Sequence, residues 1–421
     1  MATAVTELPV SELARLRRRT VWTLVGGVAL GSTGNIAALT VATIVANDLT
    51  GSAALAGTPA AAVVFGAALG ATTLSWLMSR RGRRPGLVAG YGLGVVGAAL
   101  AIIGIVATSL PILLLGSLLI GFGNSANQLS RYAAADLYPP DRRATALGVV
   151  VWAATVGAVV GPNLVGPSGD VAMAIGLPHH AGPYLVPTVL VALAAVLSFV
   201  RLRPDPYDLA DHHSRSADDL GTASPLAEII RRPQVLVSIV ALVIGQFVMV
   251  LIMTMTPLHM TAHGHDLGAV GLVLSAHTFG MYALSPISGR LTDRFGSAAV
   301  IYGGMAVLAV SGVLAAIAPA EDDRLLLLAL FLLGWGWNLG YVAGSALLTS
   351  GVSIVERTRV QGIADGLIWS TAALASLGSG VLVASAGYAT LGVLGAILVA
   401  IPAWILTVRR GALDRAAQTA G

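Results

Sequence analysis

Residues 234–258 read QVLVSIVALVIGQFVMVLIMTMTPL, a run of 25 residues that contains no charged side chain. An α-helix rises about 1.5 Å per residue, and the hydrocarbon core of a membrane is about 30 Å thick. A run of this length and composition is therefore predicted to form a helix that crosses the membrane.

Eleven further stretches of the same kind precede and follow it, and polar segments separate them. The spans, numbered 1 to 12, are predicted at 20–46, 52–78, 86–108, 110–135, 144–166, 183–202, 234–258, 268–288, 297–319, 325–350, 360–384 and 387–408. Hydrophobic residues make up 56% of the chain and charged residues only 10%, whereas soluble proteins carry about 25% charged residues. The predicted fold class is an all-α membrane protein with twelve transmembrane helices.

The arginines indicate how these spans are oriented. All 24 basic residues are arginine, and all but two lie on one side of the membrane if the N-terminus is cytoplasmic. The exceptions are Arg324, in an outer loop, and Arg131, near the inner end of span 4. Because cytoplasmic loops are enriched in basic residues, we predict a multi-pass protein of the inner (plasma) membrane with both termini in the cytoplasm. The positive charge then serves topology in the lipid bilayer, and no nucleic-acid partner is expected.

The longest polar stretch separates six spans from six. The predicted organisation is a cytoplasmic N-terminal segment, a six-helix half, a cytoplasmic linker, a second six-helix half and a cytoplasmic tail, at 1–19, 20–202, 203–233, 234–408 and 409–421. Two such halves are typical of transporters with internal repeats and a substrate site near the membrane midplane. A monomer is expected. The sequence has no P-loop, zinc-protease or nucleophile-elbow motif, so an enzyme is not predicted.

The loop between spans 8 and 9 reads GRLTDRFG, from Gly289 to Gly296. It matches the G-x-L-x-D-R-x-G signature of the major facilitator superfamily, which the chain resembles over essentially its whole length. The corresponding loop between spans 2 and 3, at 75–84, has serine in place of the leading glycine and of the aspartate. The resemblance implies the major facilitator fold of two six-helix halves, and secondary transport by alternating access.

Spans 4 and 5 bear on whether the chain is a drug/proton exchanger. Span 5 contains Gly157-x-x-x-Gly161-Pro162, which the family calls the antiporter motif and which is, from the residues alone, a close-packing and kink element. Drug exchangers usually place an arginine four residues before a Gly-x-Gly in span 4, where this chain has Ser117 before Gly121. The usual proton-coupling residues of such exchangers are therefore not visible in the sequence.

Histidine and methionine are concentrated in spans 7 and 8. Five of the nine methionines and four of the eight histidines lie between Met249 and Met281. Met249 and Met253 on span 7, and His277 and Met281 on span 8, are each spaced i, i+4, so each pair shares one helix face. At 1.5 Å per residue, both Met249 and His277 are expected roughly 14 Å below the outer surface. A site that combines thioethers and an imidazole from these two spans is therefore predicted.

Such a site would suit copper. Thioethers select Cu(I), imidazole binds copper well, and neutral ligands avoid burying a permanent anion in lipid. The pattern M-x-x-x-M on span 7 with H-x-x-x-M on span 8 resembles the CcoA-type copper importers, a subgroup of the superfamily. The resemblance implies that Met249, Met253, His277 and Met281 handle copper, as a transported substrate and not as a tightly bound cofactor.

Two other interpretations of these residues stay open. A methionine pair in an apolar helix often only fills space in the core, and a histidine within a span also serves as an organic-solute contact or a proton relay. At the outer mouth of spans 7 and 8, four side chains could collect a metal before it enters, or could simply belong to a polar loop. These are His259, Met260, His263 and His265.

Other polar residues within the spans are candidates for gating, coupling or cavity lining. Arg131 and Asp136 could pair with each other or with another span, and Asp365 is a proton site or a helix-end charge. The gating and coupling candidates are Arg131, Asp136, Asp293, Arg294 and Asp365, and the cavity-lining candidates are Asn35, Asn124, Gln128 and Asn338.

Three functions are compatible with these features. The first is a secondary-active importer of copper across the inner membrane. The second is a carrier of a small organic solute, by riboflavin-like vitamin uptake or drug/proton antiport, in which Trp335 and Trp337 of span 10 contact an aromatic ring. The third is a receptor on a transporter scaffold, which the short tails and the linker of about thirty residues disfavour.

Overall fold

The computed structural model describes residues 9–51, 55, 57–210, 225–265, 267–319, 323–350 and 352–418. Within these ranges the chain is helical and contains no strand. Twelve of its helices are long and apolar enough to cross a membrane. The twelve-span, all-α fold class is thereby confirmed, while the membrane orientation and the boundaries of the two halves stay predictions.

Spans 1 to 4 and span 6 are each a single helix, and span 5 consists of two helices. Their bounds are Val10–Thr50, Thr58–Arg81, Arg83–Val106 and Leu110–Ala135 for spans 1 to 4, Arg143–Trp152 and Ala154–Asn163 for span 5, and Gly182–Arg201 for span 6. Span 5 is preceded by a 3-10 turn, Pro140–Arg142, and followed by the helix Val165–Ala174. A second 3-10 turn, His179–Ala181, leads into span 6.

The last six spans follow a short helix, Leu226–Arg231. Their bounds are Pro233–Ala262 for span 7, Leu267–Tyr282 and Ser285–Phe295 for span 8, Ser297–Ile317 for span 9, Asp323–Leu348 for span 10, Ile354–Ala386 for span 11, and Ala389–Leu398 and Ala400–Gln418 for span 12. The part of the linker at 211–224, with His212 and His213, lies outside the described residues.

Two helices begin earlier than predicted. Span 1 begins at Val10, inside the polar segment expected to precede it, because the residues after Pro9 are mostly good helix formers such as leucine, alanine and arginine. Span 11 begins at Ile354, six residues before the predicted start, because Ser353 and Glu356 form a capping box. Polarity alone therefore placed both helix starts too late.

Three helix interruptions have a common cause. Proline has no N–H to bond the carbonyl four residues earlier, and its ring clashes with that carbonyl. Helices end at Asn163, Tyr282 and Leu398, four residues before Pro167, Pro286 and Pro402. In span 8 a side chain from span 10 bonds next to the interruption, since Asn338 Nδ2 donates to the carbonyl of Met281, the residue before Tyr282, at 2.6 Å.

Glycine permits close contact between neighbouring spans. A Cβ atom at Gly116 of span 4 would lie 2.6 Å from the Gly97 carbonyl oxygen and the Ala101 nitrogen of span 3. Such backbone contact is how helices pack in lipid, where burial of apolar surface provides little drive.

The chain divides into two compact units. The first comprises Met1–Pro139, Ala153–Ser216 and Gln361–Trp369, and the second comprises Pro140–Trp152, Ala217–Val360 and Ser370–Gly421. The first part of span 5, Pro140–Trp152, belongs to the second unit, and residues 361–369 of span 11 belong to the first.

Candidate functional site

His277 of span 8 is a buried histidine with one unpartnered ring nitrogen among the described residues. Its side chain is 1% exposed, and Nδ1 lies 3.0 Å from the carbonyl oxygen of Leu330 on span 10. Because a carbonyl only accepts, Nδ1 must carry the hydrogen, which leaves a lone pair on Nε2 of the neutral ring. Among the described residues Nε2 has no hydrogen-bond partner. His277 is thus prepared to accept a hydrogen bond or to ligate a metal.

The methionines predicted beside His277 are buried or partly buried. Met249 and Met281 are buried, and Met253 is half-buried. Span 8 packs mainly on span 10 and only slightly on span 7, because Gly280 and Gly334 allow backbone contact between spans 8 and 10. The predicted pairing of spans 7 and 8 is therefore not the principal contact of span 8. The described part of the chain holds no group of three or more His, Cys, Asp or Glu residues that could bind a metal.

An aromatic cluster connects spans 7, 8 and 10 in the second unit. The ring of Trp337 stacks on Tyr341 with a centroid distance of 4.5 Å and an interplanar angle of 20°. Tyr282 meets Trp337 edge to face at 6.2 Å. Trp337 Nε1 donates to Gln246 Oε1 of span 7 at 2.9 Å, so the indole is fixed at both its face and its N–H.

Trp335 provides an unpartnered donor on the same span. Its Nε1 is buried and has no acceptor among the described residues, and its ring lies 6.3 Å from that of Phe331. Its backbone nitrogen lies beside Gly280, three residues after His277 on span 8. The second unit therefore contains a buried donor and a buried acceptor in neighbouring turns of two contacting spans. Buried polar atoms of this kind are normally satisfied, so a bound molecule is one explanation for both.

Asn338 does not lie on a cavity surface as predicted. It is fully buried, and its amide donates to the Met281 carbonyl and to Ser285 Oγ, while its Oδ1 accepts from Ser288 Oγ at 2.6 Å. These three bonds join Asn338 to residues on both sides of the interruption of span 8. Asn338 is therefore a link between spans 8 and 10.

The outer histidines are arranged around Tyr388. His259 stacks on Tyr388 at 4.2 Å, and the ring of His263 lies 4.5 Å from that of His259. His263 Nδ1 lies 2.8 Å from the His259 carbonyl. Met260 is buried and His265 is half-buried. The stacked ring of His259 indicates a packing role, and the predicted collection of metal at this mouth stays a prediction.

Two ion pairs lie at the inner end of the first unit. Arg131 Nη2 donates to Asp365 Oδ1 at 2.6 Å. Asp136 does not pair with Arg131, since Arg83 Nε and Nη2 donate to Asp136 Oδ2 at 3.0 and 2.6 Å. Arg83 Nη2 also donates to Gln361 Oε1 at 2.7 Å. Asp136 therefore pairs with Arg83 of span 3 and not with Arg131 of its own span.

Arg83 was missed as a site residue from the sequence. It stands in an arginine-rich loop, where arginine is the expected topology signal, and nothing in the spacing distinguishes it from Arg80, Arg81 or Arg84. The structure buries its side chain, whereas Arg80 and Arg81 are exposed. The signal that the sequence offered was Asp136, an acid at the end of span 4 that needs a buried basic partner.

The predicted polar residues of spans 1 and 4 lie in the first unit. Asn35 has both side-chain polar atoms buried and without a partner among the described residues. Asn124 and Gln128 are half-buried, and the Gln128 carbonyl accepts from Arg131. Asn127, which was not selected, accepts from Tyr91 Oη at 3.0 Å.

The loop-signature residues have a capping role. The Asp293 carboxylate accepts from the backbone N–H groups of Ala144 and Thr145, at 3.0 and 2.8 Å, at the start of span 5. An acid at a helix N-terminus satisfies free N–H groups and complements the helix dipole. Arg294 is exposed, and its guanidinium lies 5.2 Å from the centre of the Phe295 ring.

A similar cap holds the start of span 3. The Asp205 carboxylate accepts from the backbone N–H groups of Arg83 and Arg84, both at 3.0 Å, and of Tyr207. Burial raises the pKa of Asp205, and these three donors partly offset that shift.

Comparison with known proteins is consistent across sequence and structure. The family model of the Major Facilitator Superfamily matches residues 22–270 and 251–421. The chain is 39% identical over 386 residues to the uncharacterised MFS-type transporter YdeG of Bacillus subtilis (strain 168), covering 91% of this chain and 90% of that protein. It is 32% identical over 382 residues to the riboflavin transporter RfnT of Brucella anthropi, covering 90% and 92%.

The fold is also that of a solved transporter. The E. coli fucose:proton symporter FucP superposes with a TM-score of 0.71 at 16% identity, over 92% of this chain and 98% of that chain. At this identity the likeness concerns the fold alone. The matches to the family model and to full-length relatives above 30% identity go further: this chain belongs to the major facilitator superfamily of membrane transporters.

Proposed function

We propose that this chain is a secondary-active carrier of a small organic solute that combines a planar aromatic ring with hydrogen-bonding groups, in the manner of riboflavin. The observation that carries the proposal is the pair of buried, unpartnered polar atoms, Trp335 Nε1 and His277 Nε2, on two contacting spans. The same unit also contains the aromatic cluster of Trp337, Tyr341 and Tyr282. The 32% identity to a riboflavin transporter supports the same class of solute.

The chemistry of these side chains fits such a solute. Aromatic side chains bind planar rings by offset stacking or edge-to-face contact. A flat heterocycle with both amide N–H and C=O groups would donate to His277 Nε2 and accept from Trp335 Nε1. Leaving such buried groups unpaired costs about 1–3 kcal/mol each, so a solute that satisfies both gains affinity and selectivity. Transport then proceeds by alternating access, without covalent chemistry.

Counterflow in proteoliposomes tests the proposal. Liposomes that contain the purified protein and unlabelled riboflavin are expected to accumulate labelled riboflavin transiently, and empty liposomes are not. Trp335→Phe keeps the ring and removes the donor, so the KM for riboflavin should rise by about 5- to 100-fold, which corresponds to roughly 1–3 kcal/mol.

The matched control for that variant is Trp404→Phe. Trp404 is 67% exposed on span 12, and this change should leave the KM within about twofold, as is usual for exposed positions. Equal KM values for Trp335→Phe and the wild type would remove Trp335 from the site. The absence of counterflow in the wild type would refute riboflavin as the solute.

A second candidate function, copper import, is favoured by one observation. The hydrogen bond from His277 Nδ1 to a backbone carbonyl is the arrangement that orients a metal-ligating histidine and leaves Nε2 available. Met281 lies one turn away, and Met249 and Met253 supply further thioethers, which suit Cu(I) as a substrate.

Cellular copper distinguishes the two candidates. Copper import predicts that cells with the wild-type chain gain copper, and that His277→Ala and the double change Met249→Leu with Met253→Leu abolish the gain. Copper that is equal in all strains, together with intact riboflavin counterflow, would leave the organic solute as the function.

A further inference from the structure

We propose that Asp365 is the proton-binding site through which the chain couples solute movement to a proton gradient. The inference rests on the proposed function only in that solute uptake is one of its two readouts. The sequence lacks the usual proton-coupling residues of the drug exchangers, so a proton site in this chain has to lie at another position.

Asp365 is a buried acid near the inner end of span 11. It lies eleven residues beyond the start of the helix Ile354–Ala386 and five residues beyond the predicted start of the span at 360. Its side chain is 3% exposed and that of its partner Arg131 is 1% exposed. Burying two charges costs several kcal/mol per ion, and their attraction repays this only when both are well hydrogen-bonded. Ionisable residues buried within spans are rare and mark functional sites.

The two carboxylate oxygens of Asp365 have unequal surroundings. Oδ1 accepts from Arg131 Nη2 at 2.6 Å and from Tyr132 Oη at 3.3 Å. Oδ2 is buried and has no hydrogen-bond partner among the described residues. A proton from water can bind to Oδ2, which forms one O–H bond and converts the carboxylate to a neutral acid. The contacts of Oδ1 stay in place as the site gains the proton.

The surroundings of Arg131 suit both charge states of Asp365. Arg131 Nη1 donates to the Gln128 carbonyl, Nη2 also donates to Tyr132 Oη at 2.8 Å, and the guanidinium lies 4.1 Å from the centre of the Tyr132 ring. These contacts hold the arginine when Asp365 is neutral. Without them, protonation would leave a buried cation uncompensated.

The groups around Asp365 come from spans 2 and 4. The titratable or charged groups that contact it among the described residues are Arg131 and Tyr132 of span 4. On this face of span 11, span 2 brings the small residues Ser75 and Ala71 beside Gly362, and Thr72 and Ala68 beside Gly366. Of the other acids at these helix ends, Asp293 and Glu356 have donors on both carboxylate oxygens. Asp136 accepts two bonds from the Arg83 guanidinium on one oxygen.

Protonation would act on one defined segment. Residues 361–369 pack with the first unit, whereas the rest of span 11 belongs to the second, and Asp365 is the only charged residue of this segment. Further contacts of the segment include Gln361 with Arg83, and Gly362 and Gly366 against span 2. Neutralising Asp365 turns the ionic contact of this segment with Arg131 of span 4 into a hydrogen bond to a neutral acid, which weakens it.

The first test measures proton-driven uptake of labelled riboflavin in proteoliposomes. With the wild type, an acidic outside is expected to drive accumulation above the level reached without a gradient. Asp365→Asn, which mimics the protonated acid, should retain counterflow but accumulate no more with the gradient than without it. Asp48→Asn, at an exposed acid of span 1, should respond as the wild type does. Gradient-driven accumulation by Asp365→Asn would overturn the proposal.

The second test does not depend on the solute. On acidification, infrared difference spectra of the wild type should show the C=O stretch of a newly protonated buried carboxyl, and Asp365→Asn should lack that band. Asp365→Glu keeps a titratable group and should restore both the band and the gradient response, which separates a proton site from a folding defect. The same band in Asp365→Asn would refute the assignment, whether or not riboflavin is the solute.

Discussion

At the scale of single residues, the interior of the first unit depends on charges that find partners far away in the sequence. Arg83 and Asp136 are each about 1% exposed, and Arg83 also binds Gln361. The sequence predicted a partner for Asp136 but not which one. Hydropathy and spacing describe a charge near a span end, and they do not tell whether it faces water or a neighbouring helix.

Removing one partner of this pair should destabilise the protein strongly. Asp136→Ala leaves the Arg83 guanidinium buried without its carboxylate, which should cost about 3–5 kcal/mol and lower the Tm measured by thermal unfolding in detergent. Asp141→Ala is the matched control, because the Asp141–Arg142 pair is exposed and should contribute no more than about 1 kcal/mol. Equal Tm changes in the two variants would contradict this account.

At the scale of helices, the starts of spans 5 and 11 explain a departure from the loop signature. Asp293, in the loop before span 9, caps the start of span 5. The first copy of the loop has Ser79 at the aspartate position, and among the described residues Ser79 bonds within its own helix, to the Trp76 carbonyl. Span 11, the counterpart of span 5 in the repeat, is capped by its own Ser353 and Glu356. A cap supplied locally relieves the first loop of the need for an aspartate.

Span locations followed from the sequence, but helix interruptions did not. The apolar runs set the twelve spans because length and hydropathy are the properties that the membrane selects. The breaks before Pro167, Pro286 and Pro402 were not predicted, since a proline in a span can bend a helix without ending it. The contact of span 8 with span 10 was also missed, because His277 was paired by sequence order with span 7.

Asn338 should control the stability of the interruption in span 8. Asn338→Leu leaves the Met281 carbonyl and the Ser285 hydroxyl without their amide donor, so the free energy of unfolding should fall by at least about 1–3 kcal/mol. The comparison is Asn163→Ala, whose exposed side chain bonds only the carbonyl one turn earlier, and whose Tm should change little. A larger loss for Asn163→Ala would contradict the role of Asn338.

At the scale of the whole molecule, the arginine distribution predicts an orientation that chemical labelling can test. The chain contains no cysteine, so single cysteines can be introduced without first removing others. Ala262→Cys lies at the exposed end of the span 7 helix, and Asp141→Cys lies in the exposed turn between spans 4 and 5. A membrane-impermeant maleimide should label Ala262→Cys in intact cells and Asp141→Cys only after permeabilisation, because arginine-rich loops stay in the cytoplasm. The reverse pattern would invert the predicted topology.

The proline interruption of span 8 also has a mechanical consequence. A continuous helix resists bending because each turn must strain its hydrogen bonds, whereas a helix that already lacks one can flex there at lower cost. Span 8 thus consists of two helices that can bend relative to each other between Tyr282 and Ser285. Asn338 of span 10 restrains this bend, because it bonds residues on both sides of it. The stiffness of span 8 is therefore set by a side chain of another helix, so one substitution on span 10 can change how far span 8 bends without altering any residue of span 8.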